Sequence, residues 1–102
     1  MSACAGSEPF ALQVLGDSMT PEFNEGVIII VEPSNRIEHG CYVIAQHDDE
    51  YLLRQLHIDD QHWQLKPLNP HYPAISINGI DSIKGRVIQR CGRRRKDRKW
   101  YV

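Results

Sequence analysis

The amino-acid sequence predicts a single all-β domain, built as a curled sheet or small barrel of hairpins with little helix. Short runs rich in β-branched and aromatic residues recur along the chain, and turn residues separate them at close intervals. Runs with the 3.6-residue spacing of an amphipathic helix are nearly absent. A chain of 102 residues that is 41% hydrophobic and 25% charged supports one domain with one hydrophobic core.

The N-terminal part of the chain contains two predicted strands before the first hairpin. Residues 10–15 predict a strand that Gly16 ends, and residues 20–26 predict a short helix or 3₁₀ turn, because Pro21 suits the first turn of a helix. Residues 27–31 (VIIIV) are β-branched throughout, which predicts a strand that is buried on both faces.

The remainder of the chain predicts two hairpins and two closing strands. An acidic turn at residues 48–50 joins the strands of the first hairpin. The segment NPHYP at residues 69–73 cannot run as a central strand, because its prolines lack the N–H donor of a ladder. Gly85 predicts a bulge in the last strand. The strands predicted here are residues 41–47, 51–57, 62–68, 75–77 and 82–90.

The composition excludes several classes of protein. The three cysteines are odd in number and lack C-x-x-C spacing, so a disulfide framework is not expected and a reducing cytoplasm is favoured. No apolar run approaches the roughly 18 residues of a membrane-spanning helix, and the N-terminus lacks the features of an export signal. The five histidines show no metal-ligand spacing. We therefore expect a cytoplasmic protein that uses neither a metal nor a cofactor.

Positive charge is concentrated near the C-terminus. Residues 90–99 contain seven basic residues and one acidic residue, whereas the rest of the chain contains five basic and twelve acidic residues. Clustered cations followed by aromatic residues suit phosphate contacts and base stacking. Nucleic acid, an acidic protein surface and the chain's own acidic body are candidate partners, and a solvated tail is the remaining interpretation. The candidate binding residues are Arg93, Arg94, Arg95, Lys96, Arg98, Lys99 and Trp100.

The segment GDSMTP at residues 16–21 carries the strongest chemical signal. It places a serine on a glycine-initiated turn directly after a strand. Such a turn exposes the hydroxyl of Ser18 and leaves neighbouring backbone N–H groups free to face an anion. A presented nucleophile and donors for an oxyanion are two requirements of acyl transfer. A serine in this setting can equally be a turn or helix-capping residue, so its context has to decide.

The order of several motifs around this serine resembles that of the LexA/UmuD family of serine peptidases. GDSM and its following proline precede a glycine and a β-branched strand (26–31), and then a glycine-led hairpin (40–57). PLNPHY at residues 67–72 looks like that family's P-x-N-x-x-Y segment, and IKGRVI at residues 83–88 is similar to its closing strand. The resemblance runs from about residue 10 to residue 90 and implies the family's all-β peptidase fold.

The resemblance also implies a Ser-Lys dyad, in which a neutral lysine takes the proton of the attacking serine. Carried over by position, Ser18 is the nucleophile, and the backbone N–H groups of Asp17 and Ser18 are the oxyanion donors. The position of the family's lysine carries Arg54, within the predicted strand YLLRQL. A guanidinium has a pKa above about 12 and does not act as a base, so Arg54 cannot activate Ser18 as a lysine does.

Three interpretations of Arg54 remain open from the sequence. In the first, the domain is a degenerate peptidase, and Arg54 pairs with a carboxylate, for which Asp17 and Glu50 are the candidates. In the second, another base serves Ser18. The candidate bases are Lys66, Lys84 and His57, none of which occupies the family position. In the third, Arg54 binds an anion or a peptide carboxylate, which makes the cleft a binding site.

The resemblance also guides the expected boundaries and setting. We expect a flexible N-terminal tail at 1–9, a peptidase-fold domain at 10–92 and a basic C-terminal tail at 93–102. LexA-like proteins cut themselves at an Ala-Gly or Cys-Gly bond, but Gly6 lies only twelve residues before Ser18, so self-cleavage in cis is not expected. The family's DNA-binding helix-turn-helix domain is not among these residues, so if this is the whole protein, we expect it to be nearer to the free-standing UmuD type than to a repressor.

The sequence as a whole favours a degenerate peptidase, a pseudoenzyme that acts through assembly with protein partners. The family resemblance implies a homodimer in a stress or SOS-type regulatory setting. An active serine peptidase with a non-standard base is the first alternative, either self-processing or acting in trans. A module that binds nucleic acid or an acidic partner through the basic tail is the second.

Overall fold

The computed structural model describes residues 8–33, 37–92 and 98–101, and its regular structure is almost entirely β. The strands are β1 (Phe10–Gln13), β2 (Ile28–Glu32), β3 (Tyr42–His47), β4 (Glu50–Asp59), β5 (His62–Lys66), β6 (Ile75–Ile77), β7 (Ile83–Cys91) and β8 (Lys99–Trp100). One 3₁₀ turn, Ile80–Ser82, precedes β7. The predicted all-β class is confirmed. Among the described residues, no helix has the length and apolar character needed to cross a membrane.

All eight strands belong to one antiparallel sheet. Seven of them follow the order β1-β2-β7-β3-β4-β5-β6, and β8 pairs with β7. β2 lies along one edge of β7, whereas β3 and β8 share the other edge, β3 near its start and β8 near its end. β7 therefore lies between β2 and β3, and it joins β1 and β2 to the strands of the two hairpins.

The β3–β4 hairpin turns through two residues, Asp48 and Asp49, whose φ angles are 51° and 66°. Two consecutive positive φ angles are typical of the type I′ turn, whose twist matches that of the paired strands. β4 therefore begins one residue earlier than predicted, and Glu50 pairs with His47. The β4–β5 hairpin also has a two-residue turn, in which Asp60 has a φ angle of 60°.

β2 is buried on one face only, so the prediction of burial on both faces is wrong. Ile29 and Val31 are 1% and 0% exposed, whereas Ile28 is 38% exposed. The alternation arises because one side of this antiparallel sheet faces the core and the other faces outward at β2. The β-branched residues on the outer side follow strand propensity and do not report burial.

Gly85 lies at a bulge where β7 passes close to β2. The register between β3 and β7 shifts between Ile44 and Ala45, and Gly85 is the partner of Ile44, so the predicted bulge is confirmed. A Cβ atom built on Gly85 would lie 2.5 Å from Val31 Cγ1 and 3.1 Å from the carbonyl oxygen of Glu32. Glycine is therefore required here by the close approach of two strands.

We expect Gly85→Ala to lower the free energy of unfolding by about 1–3 kcal/mol, because the added methyl group overpacks the core. Urea unfolding followed by circular dichroism measures this loss. In the double variant Gly85→Ala/Val31→Ala the obstructing methyl group is gone, so the combined loss should be smaller than the sum of the two single losses. Strictly additive losses would show that the contact with Val31 is not the cause.

The core consists of two clusters of buried side chains, which lie on opposite faces of β3 because Ile44 belongs to one and its neighbours Val43 and Ala45 to the other. The first cluster contains Val14, Met19, Phe23, Ile29, Val31, Ile44 and Val87. The second contains Val43, Ala45, Leu56 and Leu65. Residues 20–26, predicted as a short helix or 3₁₀ turn, form a series of turns in which Phe23 N–H donates to Met19 C=O at 2.9 Å. Phe23 of this segment belongs to the first cluster. Its burial fixes the position of the segment and of the serine before it.

Residues 99–101 belong to the folded domain, although the sequence places them in a tail. Lys99 and Trp100 pair with β7, and the N–H of Tyr101 donates to the carbonyl of Ile88 at 3.0 Å. The ring of Tyr101 lies 5.3 Å from the ring of Phe23, measured between centroids. Along the edge of β7 that faces β3, β3 pairs with the first half only. β8 pairs with the second half and so provides hydrogen-bond partners for its backbone groups.

Candidate active-site cleft

Ser18 lies in a tight turn between β1 and β2. Gly16 begins the turn with a φ angle of 79°, which glycine adopts at low cost. Val14 before the turn and Met19 after it are 7% and 1% exposed, so both ends of the turn are anchored in the core. Ser18 itself is partly buried. The turn therefore holds the serine hydroxyl in a defined position at the surface of the sheet.

Arg54 approaches this serine from β4. Its Nη1 donates a hydrogen bond of 2.8 Å to Ser18 Oγ and another of 2.8 Å to the carbonyl oxygen of Leu53. Arg54 is a buried residue, with 8% exposure. The structure thus places next to each other the two residues that the family resemblance pairs, with the guanidinium as donor and the hydroxyl oxygen as acceptor.

No carboxylate neutralises Arg54 within the described residues, since none of their ion pairs includes it. The predicted pairing with Asp17 or Glu50 is therefore not observed. The ring of Tyr72 is 6.0 Å from the Arg54 guanidinium carbon, and Arg54 Nε is sealed from solvent without a hydrogen-bond partner. Burial lowers the pKa of Arg54 below the ordinary value of a guanidinium. The cation is desolvated but lacks a counter-charge from these residues.

The loop after β5 also holds the serine turn in place. Asn69 donates its side-chain N–H to the carbonyl of Asp17 at 3.1 Å and its backbone N–H to the carbonyl of Ser18 at 3.0 Å. The Tyr72 hydroxyl donates to Asp17 Oδ1 at 2.5 Å, and this hydrogen bond raises the pKa of Tyr72. In the sequence, Asn69 and Tyr72 stand out only as parts of a family motif. The structure assigns both of them to positioning the turn.

The serine turn leaves two backbone N–H donors free within the described residues, whereas the carbonyl of Asp17 accepts several hydrogen bonds. Neither Asp17 N–H nor Ser18 N–H donates to another group in the described part of the chain. The Asp17 carbonyl accepts from the N–H and the hydroxyl of Thr20, at 3.3 and 3.0 Å, in addition to Asn69. Free donors beside a serine hydroxyl suit a negatively charged oxygen.

A cleft of about 450 Å³ opens beside Ser18 and Arg54. Leu15 and Tyr51 on its lining are 80% and 66% exposed. Neither a lysine nor a histidine is among the described residues that line it, so the candidate bases Lys66, Lys84 and His57 lie elsewhere. The apolar part of the lining consists of Leu12, Val14, Leu15, Met19, Ile29, Ile44, Leu52 and Leu53.

The segment that follows the serine is held by the C-terminal strand. Glu22 Oε2 accepts hydrogen bonds from Lys99 Nζ at 2.7 Å and from the Tyr101 hydroxyl at 2.6 Å, and Arg90 Nη1 lies 3.3 Å away. A second cavity of about 730 Å³ borders Glu22 and Arg90, and Ser18 is not part of its lining. The C-terminal strand therefore stabilises the segment that follows Ser18, and it does not line the cleft.

The structure covers the predicted tail residues only in part. Arg93, Arg94, Arg95 and Lys96 lie outside the described residues, as does the N-terminal Cys4-Ala5-Gly6 segment. Lys99 is engaged by Glu22, whereas Trp100 is 58% exposed and Arg98 is also exposed. The described end of the tail thus has one of its two cations committed to the domain.

Glu22→Gln is expected to destabilise the protein at neutral pH and to matter less in acid. Hydrogen bonds from Lys99 and Tyr101 lower the pKa of Glu22 from its usual 4.5. A lowered pKa in the folded state contributes stability above the unfolded pKa, and that stability is lost as the pH falls through the folded value. Urea unfolding at pH 7 and pH 3 should show a difference from wild type that shrinks in acid. The exposed Glu8 provides a charge-matched control, Glu8→Gln, and a pH-independent difference for Glu22→Gln would refute this role.

Comparison with known proteins found a matching family model and several similar proteins. The family model described as Peptidase S24-like matches residues 2–88. A regulator named as HTH-type transcriptional regulator for conjugative element R391, from Providencia rettgeri, is 46% identical over 78% of this chain and 40% of its own length. Repressor protein C2 of Salmonella phage P22 is 40% identical over 79% of this chain and 40% of its own.

A LexA repressor from Oleidesulfovibrio alaskensis is 36% identical over 87% of this chain and 44% of its own length. The chain thus spans about two fifths of the length of these relatives. The family model covers most of the sequence, including the GDSM turn, both hairpins and two thirds of β7. The chain belongs to the Peptidase S24-like family.

Proposed function

We propose that this chain is a peptidase-fold regulatory domain whose serine is not activated for peptide hydrolysis, and that it works through assembly with protein partners. The observation that carries the proposal is the hydrogen bond of 2.8 Å from Arg54 Nη1 to Ser18 Oγ. It puts a permanently protonated group where a Ser-Lys dyad needs a proton acceptor.

The direction of this hydrogen bond decides the chemistry. In a working dyad the hydroxyl donates to a neutral amine, whereas Ser18 Oγ here accepts from a guanidinium. Burial lowers the pKa of Arg54, but it does so from the very high pKa of a guanidinium. Lowering it to near neutral would span several pKa units at about 1.36 kcal/mol each, and this total is several times the effect of an ordinary contact. The guanidinium therefore keeps its protons at working pH.

The described residues that line the cleft include no lysine and no histidine to supply the missing base, and of the two carboxylates there, that of Asp17 accepts the Tyr72 hydroxyl. The Tyr72 phenol donates to Asp17, and that hydrogen bond raises its pKa, so the phenol stays protonated at neutral pH. This arrangement argues against the alternative of an active peptidase with a non-standard base.

The proposed setting follows from the relatives. Their names describe transcriptional regulators and repressors, from a conjugative element, a phage and bacteria. We extend this to a cytoplasmic, homodimeric domain in a stress or SOS-type regulatory system, in which contacts between proteins transmit the signal. Self-processing has no role in this proposal.

Labelling of the wild-type protein with a fluorophosphonate tests the proposal. We expect labelling at pH 7 and pH 9 to stay at the level of Ser18→Ala, because an unactivated serine reacts no faster than other hydroxyl groups. The intact mass should also remain constant during long incubation. An active serine peptidase serves as the positive control for the reagent. Labelling that disappears in Ser18→Ala, or a time-dependent loss of mass that does, would refute the proposal.

A further inference from the structure

Part of the Arg54 guanidinium makes no hydrogen bond within the described residues. Both hydrogen bonds that it makes within the described residues come from Nη1. Nε is sealed from solvent, whereas Nη2 has no hydrogen bond and is not among the sealed atoms. Because Arg54 lines the cleft, Nη2 can reach a ligand there.

Ser18 supplies a second donor beside it. Its Oγ accepts from Arg54 Nη1, so the hydrogen of the hydroxyl points away from the guanidinium. That hydrogen is donated to no group in the described part of the chain. A carboxylate accepts hydrogen bonds on two adjacent oxygens, so it matches a guanidinium N–H and a hydroxyl placed side by side.

The charge on Arg54 provides the driving force. The side chain is 8% exposed, and the described residues form no ion pair with it. A desolvated cation without a counter-charge is unfavourable, and it is stabilised when an anion binds with good hydrogen-bond geometry. Binding of a carboxylate would neutralise a charge that the described residues leave uncompensated.

The surroundings of Arg54 select for an apolar ligand with a single negative charge. Leu15, Tyr51 and Tyr72 are 80%, 66% and 38% exposed around the cleft. Exposed apolar side chains at a cleft are typical of a binding surface. Asp17 and Glu50 also line the cleft and repel a bound anion in proportion to its charge, which disfavours phosphate and dicarboxylates more than a monocarboxylate.

The position of β1 favours a peptide over a free acid. β1 is at the end of the strand order, so its outer edge has no partner among the described strands. Leu12 and Gln13 of this strand line the cleft. An extended peptide can add to a free strand edge through main-chain hydrogen bonds while its side chains occupy neighbouring pockets.

We propose that the Ser18–Arg54 cleft binds the C-terminal carboxylate of an extended apolar peptide. The carboxylate lies between Arg54 Nη2 and the Ser18 hydroxyl, the last side chain packs against Leu15 and Tyr51, and the main chain follows the edge of β1. This inference rests on the proposed function, because it assigns the non-cleaving site a ligand that has no bond to be cut at the serine.

Fluorescence polarisation with a labelled peptide tests the inference. The probe is an N-terminally fluorescein-labelled hexapeptide, ALALAL, with a free carboxylate, and it is compared with the same peptide as a C-terminal amide. We expect the carboxylate form to bind about tenfold tighter or more, since charge-assisted hydrogen bonds distinguish the two. In Arg54→Gln this preference should disappear. In Lys84→Gln, which makes the same charge change at an exposed residue outside the cleft, it should remain.

Decanoate has a carboxylate and an apolar chain but no peptide groups. We expect it to displace the probe at least about tenfold less effectively than unlabelled ALALAL does. Equal displacement would overturn the assignment to a peptide. Equal binding of the acid and the amide to wild type, or binding of neither, would overturn the inference as a whole, and this comparison does not depend on whether Arg54→Gln folds.

Mass spectrometry of the probe after the measurement separates the two proposals. An intact probe with no preference for the carboxylate form leaves the non-cleaving function standing and refutes only the ligand. A probe that wild type cuts and Ser18→Ala does not cut refutes the non-cleaving function itself.

Discussion

Arg54→Lys is expected to create a serine-dependent reactivity that the wild-type protein lacks. The new lysine would occupy a site that is buried enough to lower the pKa of Arg54, and the same desolvation favours a neutral amine. A neutral amine next to Ser18 Oγ can take the hydroxyl proton, and general-base assistance of this kind contributes about 10²–10⁴-fold. We therefore expect the rate of fluorophosphonate labelling to rise about a hundredfold or more over wild type.

The pH dependence and two control variants make this result specific. Labelling of Arg54→Lys should increase with pH, because the reactive form appears as the amine loses its proton. Arg54→Lys/Ser18→Ala should lose the labelling, and Arg98→Lys, the same substitution at an exposed position, should behave like wild type. If Arg54→Lys folds normally by circular dichroism yet labels no faster than wild type up to pH 10, then more than the base has changed in this cleft.

Phe23→Ala is expected to destabilise the protein more than either Gly85→Ala or Glu22→Gln does. Phe23 is 0% exposed and lies at the centre of the first core cluster. Its ring centroid is 4.9 Å from that of Tyr42 in an edge-to-face arrangement and 5.3 Å from that of Tyr101. Removal of a buried phenylalanine ring costs about 3–5 kcal/mol, out of about 5–15 kcal/mol for a typical domain. The urea midpoint should fall accordingly.

The controls for this substitution separate burial from loss of an aromatic ring. Phe23→Leu keeps most of the buried volume, so its cost should be well below that of Phe23→Ala. Tyr51→Ala removes an aromatic ring that is 66% exposed, and we expect it to change the free energy of unfolding by no more than about 0.5 kcal/mol. Similar midpoints for Phe23→Ala and Tyr51→Ala would contradict the central place of Phe23 in the core.

Most strand positions can be predicted because they depend on neighbouring residues. The sequence predicts strands at residues 41–47 and 75–77, and the structure contains β3 (Tyr42–His47) and β6 (Ile75–Ile77). β-branched runs and intervening turn residues are local signals of this kind. The pairing of β7 between β2 and β3 cannot be predicted in this way, since it joins residues as distant as Ile30 and Gln89.

Burial is harder to predict than strand position. The composition of residues 27–31 indicates a strand but does not tell whether one or both faces will be covered, and the structure covers one. Similarly, the charge of residues 93–102 predicts a tail, yet Tyr101 packs against Phe23 and Tyr42. In both segments the outcome depends on which other elements are nearby, and the segment's own residues do not contain that information.

The chemical character of the site is evident from residue identity. A guanidinium has a high pKa wherever it stands, so Arg54 at the position of the family's lysine already argues against a general base. The interactions of that guanidinium require the folded sheet. Its contact with Ser18 spans 36 residues, and the hydrogen bond from Asn69 to Asp17 spans 52. Contacts of this length, and the lack of a counter-charge for Arg54 among the described residues, are properties of the assembled strands, because no short stretch of sequence sets the distance between two groups so far apart along the chain.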